Sequence, residues 1–237
     1  NQGAKLRYMF GGKAEVPLTI RTIHGAGFRA AAQHSQSLYA LFTHIPGLKV
    51  VVPSTPYDAK GLLLSVIEDN DMVIFFEDKT LYNMKGEVPD GHYVIPLGQA
   101  EVKREGKDLT IVAIGKQVHT AAKAAEQLAE KGIETEIIDP RTLSPFDEDT
   151  VLESVAKTNR LIIIDEANPR CSIARDIAAM VADKGFDSLD APIKTITAPH
   201  TPVPFSPTLE DAYLPSPQKV IQIVSELIGD DSLQAIS

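Results

Sequence analysis

The fold is decided by one stretch of sequence, LTIVAIGKQVHTAAKAAEQLAEKGIETEII, residues 109–138. Leu109–Ile114 is a short apolar run of the kind that forms a buried strand. Gln117–Lys131 follows with apolar side chains at helical spacing, and Gly132 is a suitable residue to end that helix. Glu134–Ile138 predicts a second strand. A strand, a helix and a strand in this order predict a parallel sheet covered by helices.

The same alternation continues on both sides of this stretch. Toward the C-terminus the sequence predicts helix 147–157, strand 161–165, helix 172–183, strand 193–197 and a last helix from Ser216. Toward the N-terminus, apolar runs predict strands at 16–21, 48–53 and 72–77, with a helix that Thr55 caps and Pro56 begins. The predicted fold class is therefore α/β, with mostly parallel sheets and helices on both faces.

A segment rich in glycine and proline separates the chain into two halves. Residues 85–97 lack helical periodicity and are typical of a linker that enters an edge strand. We therefore predict one domain over 1–84 and a second over 98–237, a division that fits a chain of 237 residues.

Composition and charge argue against several classes of protein. The net charge is −9, whereas a nucleic-acid-binding surface needs clustered Lys and Arg. The longest charge-free stretch, between Arg29 and Lys49, contains His, Gln, Ser and Pro, so we expect no membrane span. The single cysteine, Cys171, excludes an internal disulfide and fits a reducing compartment, which predicts a cytoplasmic protein.

Common motifs for bound nucleotides and metals do not occur. No Gly-x-Gly-x-x-Gly loop follows a predicted strand, and no Walker, Gly-x-Ser-x-Gly, Cys-x-x-Cys or His-Glu-x-x-His pattern is present. Asp139 and Asp165-Glu166 fall at the carboxyl ends of predicted strands, where ligands bind in doubly wound sheets. We interpret them as groups that order loops or interfaces.

The segment AAAQHSQS, residues 30–37, holds the candidate catalytic residue, His34. A histidine among small residues and amides, after the glycines at 25 and 27, can move a proton near neutral pH. A histidine that caps a helix or bonds to the backbone has the same local pattern, and composition does not separate the two interpretations.

Longer segments resemble the β subunits of the thiamine-diphosphate-dependent 2-oxo acid dehydrogenases. The segments are AQHSQ (32–36), HIPGLKVV (44–51), PSTPYDAKGLL (53–63), IDPRTLSP (138–145) and VAKTNR (155–160). Three more segments are most similar to the acetoin branch of that family, with the pyruvate branch as the alternative: FFEDKTLY (75–82), DEANPRCS (165–172) and TPVPFSP (201–207).

The resemblance implies a fold, a reaction and partners. Residues 1–84 would belong to a pyrimidine-binding domain and residues 98–237 to a transketolase C-terminal-like domain. The complete enzyme would cleave acetoin and transfer the two-carbon unit to the lipoyl group of an acyltransferase component. An α subunit would share the thiamine diphosphate and its Mg²⁺ in an α₂β₂ heterotetramer with contact between β chains. His34 would lie in the active site and assist proton transfers.

The resemblance also implies a potassium site and leaves one alternative open. Some relatives bind K⁺ through backbone carbonyls at the positions of Leu18, Val66, Ile67, Asp69 and Asp71, and the end of a helix leaves such carbonyls unpaired. The glutamate that activates the cofactor in the family lies upstream of any residue in this chain. If the protein begins at Asn1, a non-catalytic dimerisation and docking module is the alternative.

Overall fold

The computed structural model describes residues 1–229 and arranges them around two β-sheets. The first sheet contains Thr19–His24 (β1), Lys49–Val51 (β2), Val73–Asp78 (β3) and Thr142–Ser144 (β7). Its spatial order is β1-β3-β2-β7, in which β1 and β2 run parallel to β3 and β7 runs antiparallel to β2.

The second sheet is formed by residues that follow the predicted linker. It contains Glu101–Arg104 (β4), Leu109–Ala113 (β5), Thr135–Asp139 (β6), Leu161–Asp165 (β8) and Lys194–Thr197 (β9), in the order β4-β6-β5-β8-β9. All neighbouring pairs are parallel except the edge pair β4 and β6. The predicted α/β fold with mostly parallel sheets is confirmed.

Five of the helices in the described residues lie where the sequence predicts them. The helices of this part of the chain are Gln2–Met9 (α1), Ala31–His34 (α2), Tyr39–Thr43 (α3), Pro56–Ile67 (α4), Gln117–Ala129 (α5), Glu148–Thr158 (α6), Ile173–Lys184 (α7), Pro207–Tyr213 (α8) and Pro217–Ile228 (α9), with 3₁₀ turns at Lys79–Leu81 and Phe186–Ser188. Among the described residues, no helix has the length and apolar character that a membrane crossing needs.

Helices cover both faces of the second sheet. Alternate residues of β5 point to opposite sides, so Ile111 packs in one apolar cluster with side chains of α5 and α9. Val112 packs in the other, with side chains of α6 and α7. That second cluster also includes Val50 and Ile74 of the first sheet, so the two sheets share a core.

Two strands differ from the prediction. The predicted strand 16–21 is found at Thr19–His24, because Pro17 has no N–H for a ladder and the N–H of Val16 bonds to the carbonyl of Asn70 at 2.9 Å. The strand Thr142–Ser144 was not predicted, and it adds residues of the C-terminal half to the sheet of the N-terminal half. We propose that residues 85–97 link two domains that interlock at this strand.

Candidate active site

The carboxyl ends of parallel strands from both sheets meet inside the chain. β1 ends at His24 and β3 at Asp78, while the loops after β5 and β8 carry Lys116 and Glu166. One ligand atom of each of His24, Asp78 and Glu166 lies within 4.8 Å of the other two, and all three residues are buried. Because ligands in open α/β sheets bind at this edge, it is the candidate site.

An ammonium group offsets part of the negative charge of this cluster. Lys116 Nζ lies 2.6 Å from Glu166 Oε2 and 3.5 Å from Asp78 Oδ2. Burial lowers the pKa of the His24 imidazole, so this ring is neutral at physiological pH. His24, Asp78 and Glu166 are ligand types that bind metals, but Lys116 already supplies a positive charge among them.

A glycine loop that follows β1 contributes backbone donors to the same edge. Gly25–Ala30 has the spacing Gly-x-Gly-x-x-Ala, a relaxed form of the dinucleotide motif that a search for three glycines misses. The N–H of Ala26 donates to Glu166 Oε1 at 3.0 Å, and the N–H of Gly27 donates to Glu210 Oε1 at 2.7 Å. Successive amides of this kind form an anion-binding nest, and two of the chain's own carboxylates occupy it.

Glu210, the second of these carboxylates, lies on α8. It also accepts the backbone N–H of Arg29 at 3.1 Å and the guanidinium of Arg29 at 2.8 Å. Although burial raises the pKa of Glu210, the amide donors and Arg29 hold it below its usual value. The loop is therefore not available as a cradle for a phosphate group.

His34 lies at the end of α2 with its ring exposed, on a segment fixed by its backbone. Lys79 Nζ donates a hydrogen bond to the carbonyl of His34, and burial lowers the pKa of this lysine. Further along the segment, Ser37 Oγ donates to Glu166 Oε1 at 2.7 Å and lies 3.0 Å from His24 Nδ1. Through Ser37, the segment that carries His34 is therefore hydrogen-bonded to the buried cluster of His24 and Glu166.

Sequence reasoning found Asp165 and Glu166, missed Lys116 and Glu210, and did not predict that His24 is buried in the cluster. Asp165 accepts a hydrogen bond from the hydroxyl of Tyr39, and Glu166 accepts one from the hydroxyl of Ser37. Both acids therefore hold the loop that carries His34, as the interpretation from sequence predicts. Lys116 lies in the turn before α5, and Glu210 lies on the short helix α8. The sequence around them contains no motif that indicates a functional site. Only the chain topology, which sequence pattern does not specify, brings Lys116 to the cluster of His24 and Glu210 to the glycine loop.

The residues of the predicted potassium site lie together where α4 ends and β1 begins. The carbonyl of Leu18 accepts the N–H of Val73 at 3.0 Å, and the carbonyl of Val66 accepts Thr19 Oγ1 at 2.9 Å. The backbone N–H of Asp71 donates to Asp69 Oδ1 at 2.8 Å. A carbonyl that accepts one hydrogen bond keeps a second lone pair, so these hydrogen bonds do not exclude a cation.

The carboxylates beside those carbonyls are already paired. Lys49 Nζ lies 2.6 Å from Asp69 and 3.3 Å from Asp71, which also pairs with Arg7. Although burial raises the pKa of Asp71, Arg7 and Lys49 hold it below its usual value. Any cation here would depend on the backbone oxygens at the five predicted positions, including that of Ile67.

A second buried network joins the two sheets away from His34. Ser54 Oγ donates to Asp139 Oδ2 at 2.5 Å, and His119 Nε2 lies 2.7 Å from the carbonyl of Ser54. Burial raises the pKa of Asp139 to about 7, so part of the population carries a neutral carboxyl group at neutral pH. This network orders the interface, as the position of Asp139 after a strand predicts.

Comparisons with known proteins identify both halves of the chain. Residues 1–85 match the family described as the transketolase pyrimidine binding domain, and residues 98–220 match the transketolase C-terminal domain. A solved split-gene transketolase, described as an inactive β4 tetramer, superposes with a TM-score of 0.73 over 91% of this chain and 67% of that chain. At 22% sequence identity this likeness shows the fold.

Curated relatives are much more similar in sequence. The β subunit of acetoin:2,6-dichlorophenolindophenol oxidoreductase from Bacillus subtilis is 73% identical over 98% of this chain and 68% of the relative. Its counterpart from Cupriavidus necator is 64% identical over 93% of this chain and 65% of the relative. The pyruvate dehydrogenase E1 β subunit of B. subtilis is 45% identical over 96% of this chain and 70% of the relative.

The chain therefore spans about two thirds of the length of these relatives. The pyrimidine-binding domain and the dehydrogenase relatives imply thiamine diphosphate as the cofactor of the family. Fold, domain matches and relatives agree, and the chain belongs to the β subunits of the 2-oxo acid and acetoin dehydrogenases, which combine the transketolase pyrimidine-binding and C-terminal domains.

Proposed function

We propose that this chain is the β subunit of an acetoin dehydrogenase that cleaves acetoin and transfers the two-carbon unit to a lipoyl group. The observation that carries the proposal is the difference in identity: 73% and 64% to two acetoin-oxidising β subunits, against 45% to a pyruvate dehydrogenase β subunit. The acetoin-like segments 75–82, 165–172 and 201–207 support the same choice, and two of them contain residues of the buried cluster.

His34 is the acid–base group that we propose for the reaction. Thiamine diphosphate, when bound, would supply a nucleophilic carbon for the substrate carbonyl. The exposed imidazole of His34 can then give a proton to the oxygen of the attacked carbonyl and take one back when the carbon–carbon bond breaks. Lys79 fixes the carbonyl of His34 and leaves the ring free for this exchange.

The hydrogen bonds of the glycine loop indicate which subunit binds the diphosphate of the cofactor. The amides of the glycine loop are bonded to Glu166 and Glu210, so among the described residues this nest does not fit a diphosphate. We propose that an α subunit supplies the site for the diphosphate and Mg²⁺, in a cytoplasmic α₂β₂ heterotetramer with a contact between β chains. A lipoyl acyltransferase component would accept the two-carbon unit.

Steady-state kinetics of the complete enzyme test this function. We expect acetoin to reduce 2,6-dichlorophenolindophenol with a kcat/KM at least about tenfold above that for pyruvate, a difference that one substrate-binding contact can produce. A preference for pyruvate would contradict the acetoin assignment and favour the pyruvate branch. No turnover with either substrate, in the presence of an α subunit and cofactor, would favour the dimerisation and docking module.

We also propose that K⁺ binds the carbonyls of Leu18, Val66, Ile67, Asp69 and Asp71. A ligand that binds only the folded state stabilises it by about 2.7 kcal/mol at one hundred times its Kd. We expect a melting temperature several degrees higher in KCl than in NaCl or choline chloride at equal ionic strength. Equal melting temperatures in the three salts would contradict the site.

A further inference from the structure

Three buried acids of the C-terminal half hold the segment that carries His34. This segment runs from Gly25 to Tyr39. Asp165 accepts a hydrogen bond from the hydroxyl of Tyr39, and Glu210 accepts hydrogen bonds from the backbone N–H groups of Gly27 and Arg29. Glu166 is the third acid, and it contacts both Ala26 and Ser37. These contacts join residues that are far apart in the chain, so the segment is positioned by the other half of the protein.

Glu166 contacts the segment on both sides of His34. Its Oε1 accepts the N–H of Ala26 at 3.0 Å and the hydroxyl of Ser37 at 2.7 Å, which lie before and after His34. Its Oε2 lies 2.6 Å from Lys116 Nζ, which also donates to the carbonyl of Ala26. The carboxylate and its lysine therefore bind both ends of the segment at one point.

The segment between these two ends has a strained backbone. Arg29 and Ala31 are not glycines but have φ values of 58° and 59°. Left-handed conformations of such residues cost free energy and persist only where the surroundings impose them. The ring of His34 is exposed, so its direction depends on the backbone that Glu166 fixes.

We propose that Glu166 is a positioning residue: through Ala26 and Ser37 it sets the position of His34 for proton transfer, so that the C-terminal domain controls the acid–base group of the pyrimidine-binding domain. This inference rests on the proposed role of His34. On this inference, loss of the Glu166 carboxylate lowers turnover only while His34 is present. A residue that only stabilises the fold would not show this dependence.

A double-mutant cycle in the complete enzyme tests the inference. We expect Glu166→Gln to lower kcat by about 10- to 100-fold with little change in KM, because a displacement of about 1 Å of a reacting group costs up to this factor. In the His34→Ala background the same substitution should have almost no further effect on kcat. An undiminished loss in that background would overturn the inference, since Glu166 would then act independently of His34.

Two further variants separate positioning from loss of folding. Glu136→Gln is the matched control, because Glu136 is also a buried glutamate that pairs with a lysine and accepts the N–H of Gly106, at 3.2 Å. We expect it to lower stability but to leave kcat unchanged. Ser37→Ala removes one hydroxyl and leaves the Glu166–Lys116 pair intact, so it should lower kcat even if Glu166→Gln does not fold.

The outcomes distinguish this inference from the function on which it rests. If His34→Ala alone leaves kcat unchanged, the proposed role of His34 fails and the inference fails with it. If His34→Ala lowers kcat while Ser37→Ala and Glu166→Gln do not, the function stands and the positioning role is wrong.

Discussion

Replacing His34 with alanine should lower the turnover of the complete enzyme by about 10²–10⁴-fold, the range that general acid–base catalysis contributes. The ring is exposed, so its removal leaves no cavity, and Lys79 bonds to the backbone carbonyl, which alanine retains. Stability and the affinity for thiamine diphosphate should therefore change little. Steady-state kinetics with a lipoyl acceptor, together with cofactor titration, measure the two effects separately.

His92→Ala is the matched control for this prediction. His92 is also an exposed histidine, and it lies in the predicted linker, where it contacts Glu68 at the end of α4 at 2.5 Å. We expect this variant to retain the turnover of the unmodified enzyme. Unchanged turnover in His34→Ala would instead assign His34 to a structural role, the alternative that its sequence context leaves open.

Gly25→Ala should lower the free energy of unfolding by about 2–5 kcal/mol. Gly25 has a φ of +96°, and a left-handed conformation costs a residue with a Cβ atom about 1–2 kcal/mol. The added Cβ would also lie 2.5 Å from Asp78 Oδ2, although Thr80 fixes that carboxylate with hydrogen bonds of 2.8 and 2.6 Å. Displacing a buried, bonded carboxylate adds about 1–3 kcal/mol.

Gly132→Ala has only the first of these costs, so its comparison with Gly25→Ala isolates the second. Gly132 has a φ of +80°, but a Cβ atom at this position meets nothing within 4 Å. Its substitution should cost about 1–2 kcal/mol, the conformational cost alone. Urea denaturation of the two variants should therefore differ by at least about 1 kcal/mol, and equal losses would mean that Asp78 is not held as the structure indicates.

Local features of the fold could be predicted from the sequence, because their causes lie within a few residues. Thr55 accepts the N–H of Asp58 at 3.1 Å and Pro56 begins the helix, as their order in the chain predicts. The alternation of apolar runs and helical stripes likewise predicts the second sheet. The family resemblance adds the two domain types, which the comparisons confirm.

The candidate site could be predicted only in part, because its contacts depend on chain topology. His34 stands in a recognisable segment, but Glu166 reaches Ala26 across 140 residues and Glu210 reaches Gly27 across 183. No pattern around Glu210 indicates an amide loop as its partner. The strand Thr142–Ser144 was missed for the same reason, since three residues that pair with a distant sheet carry no periodicity of their own.

The most direct test of the central claim is an experimental structure of the complete enzyme with thiamine diphosphate and a bound substrate analogue. The measured quantity is the distance from the nearest ring nitrogen of His34 to the oxygen of the analogue that corresponds to the substrate carbonyl. We predict hydrogen-bond reach, about 2.6–3.2 Å directly or through one water molecule. A His34 ring separated from the analogue by other side chains would contradict the account.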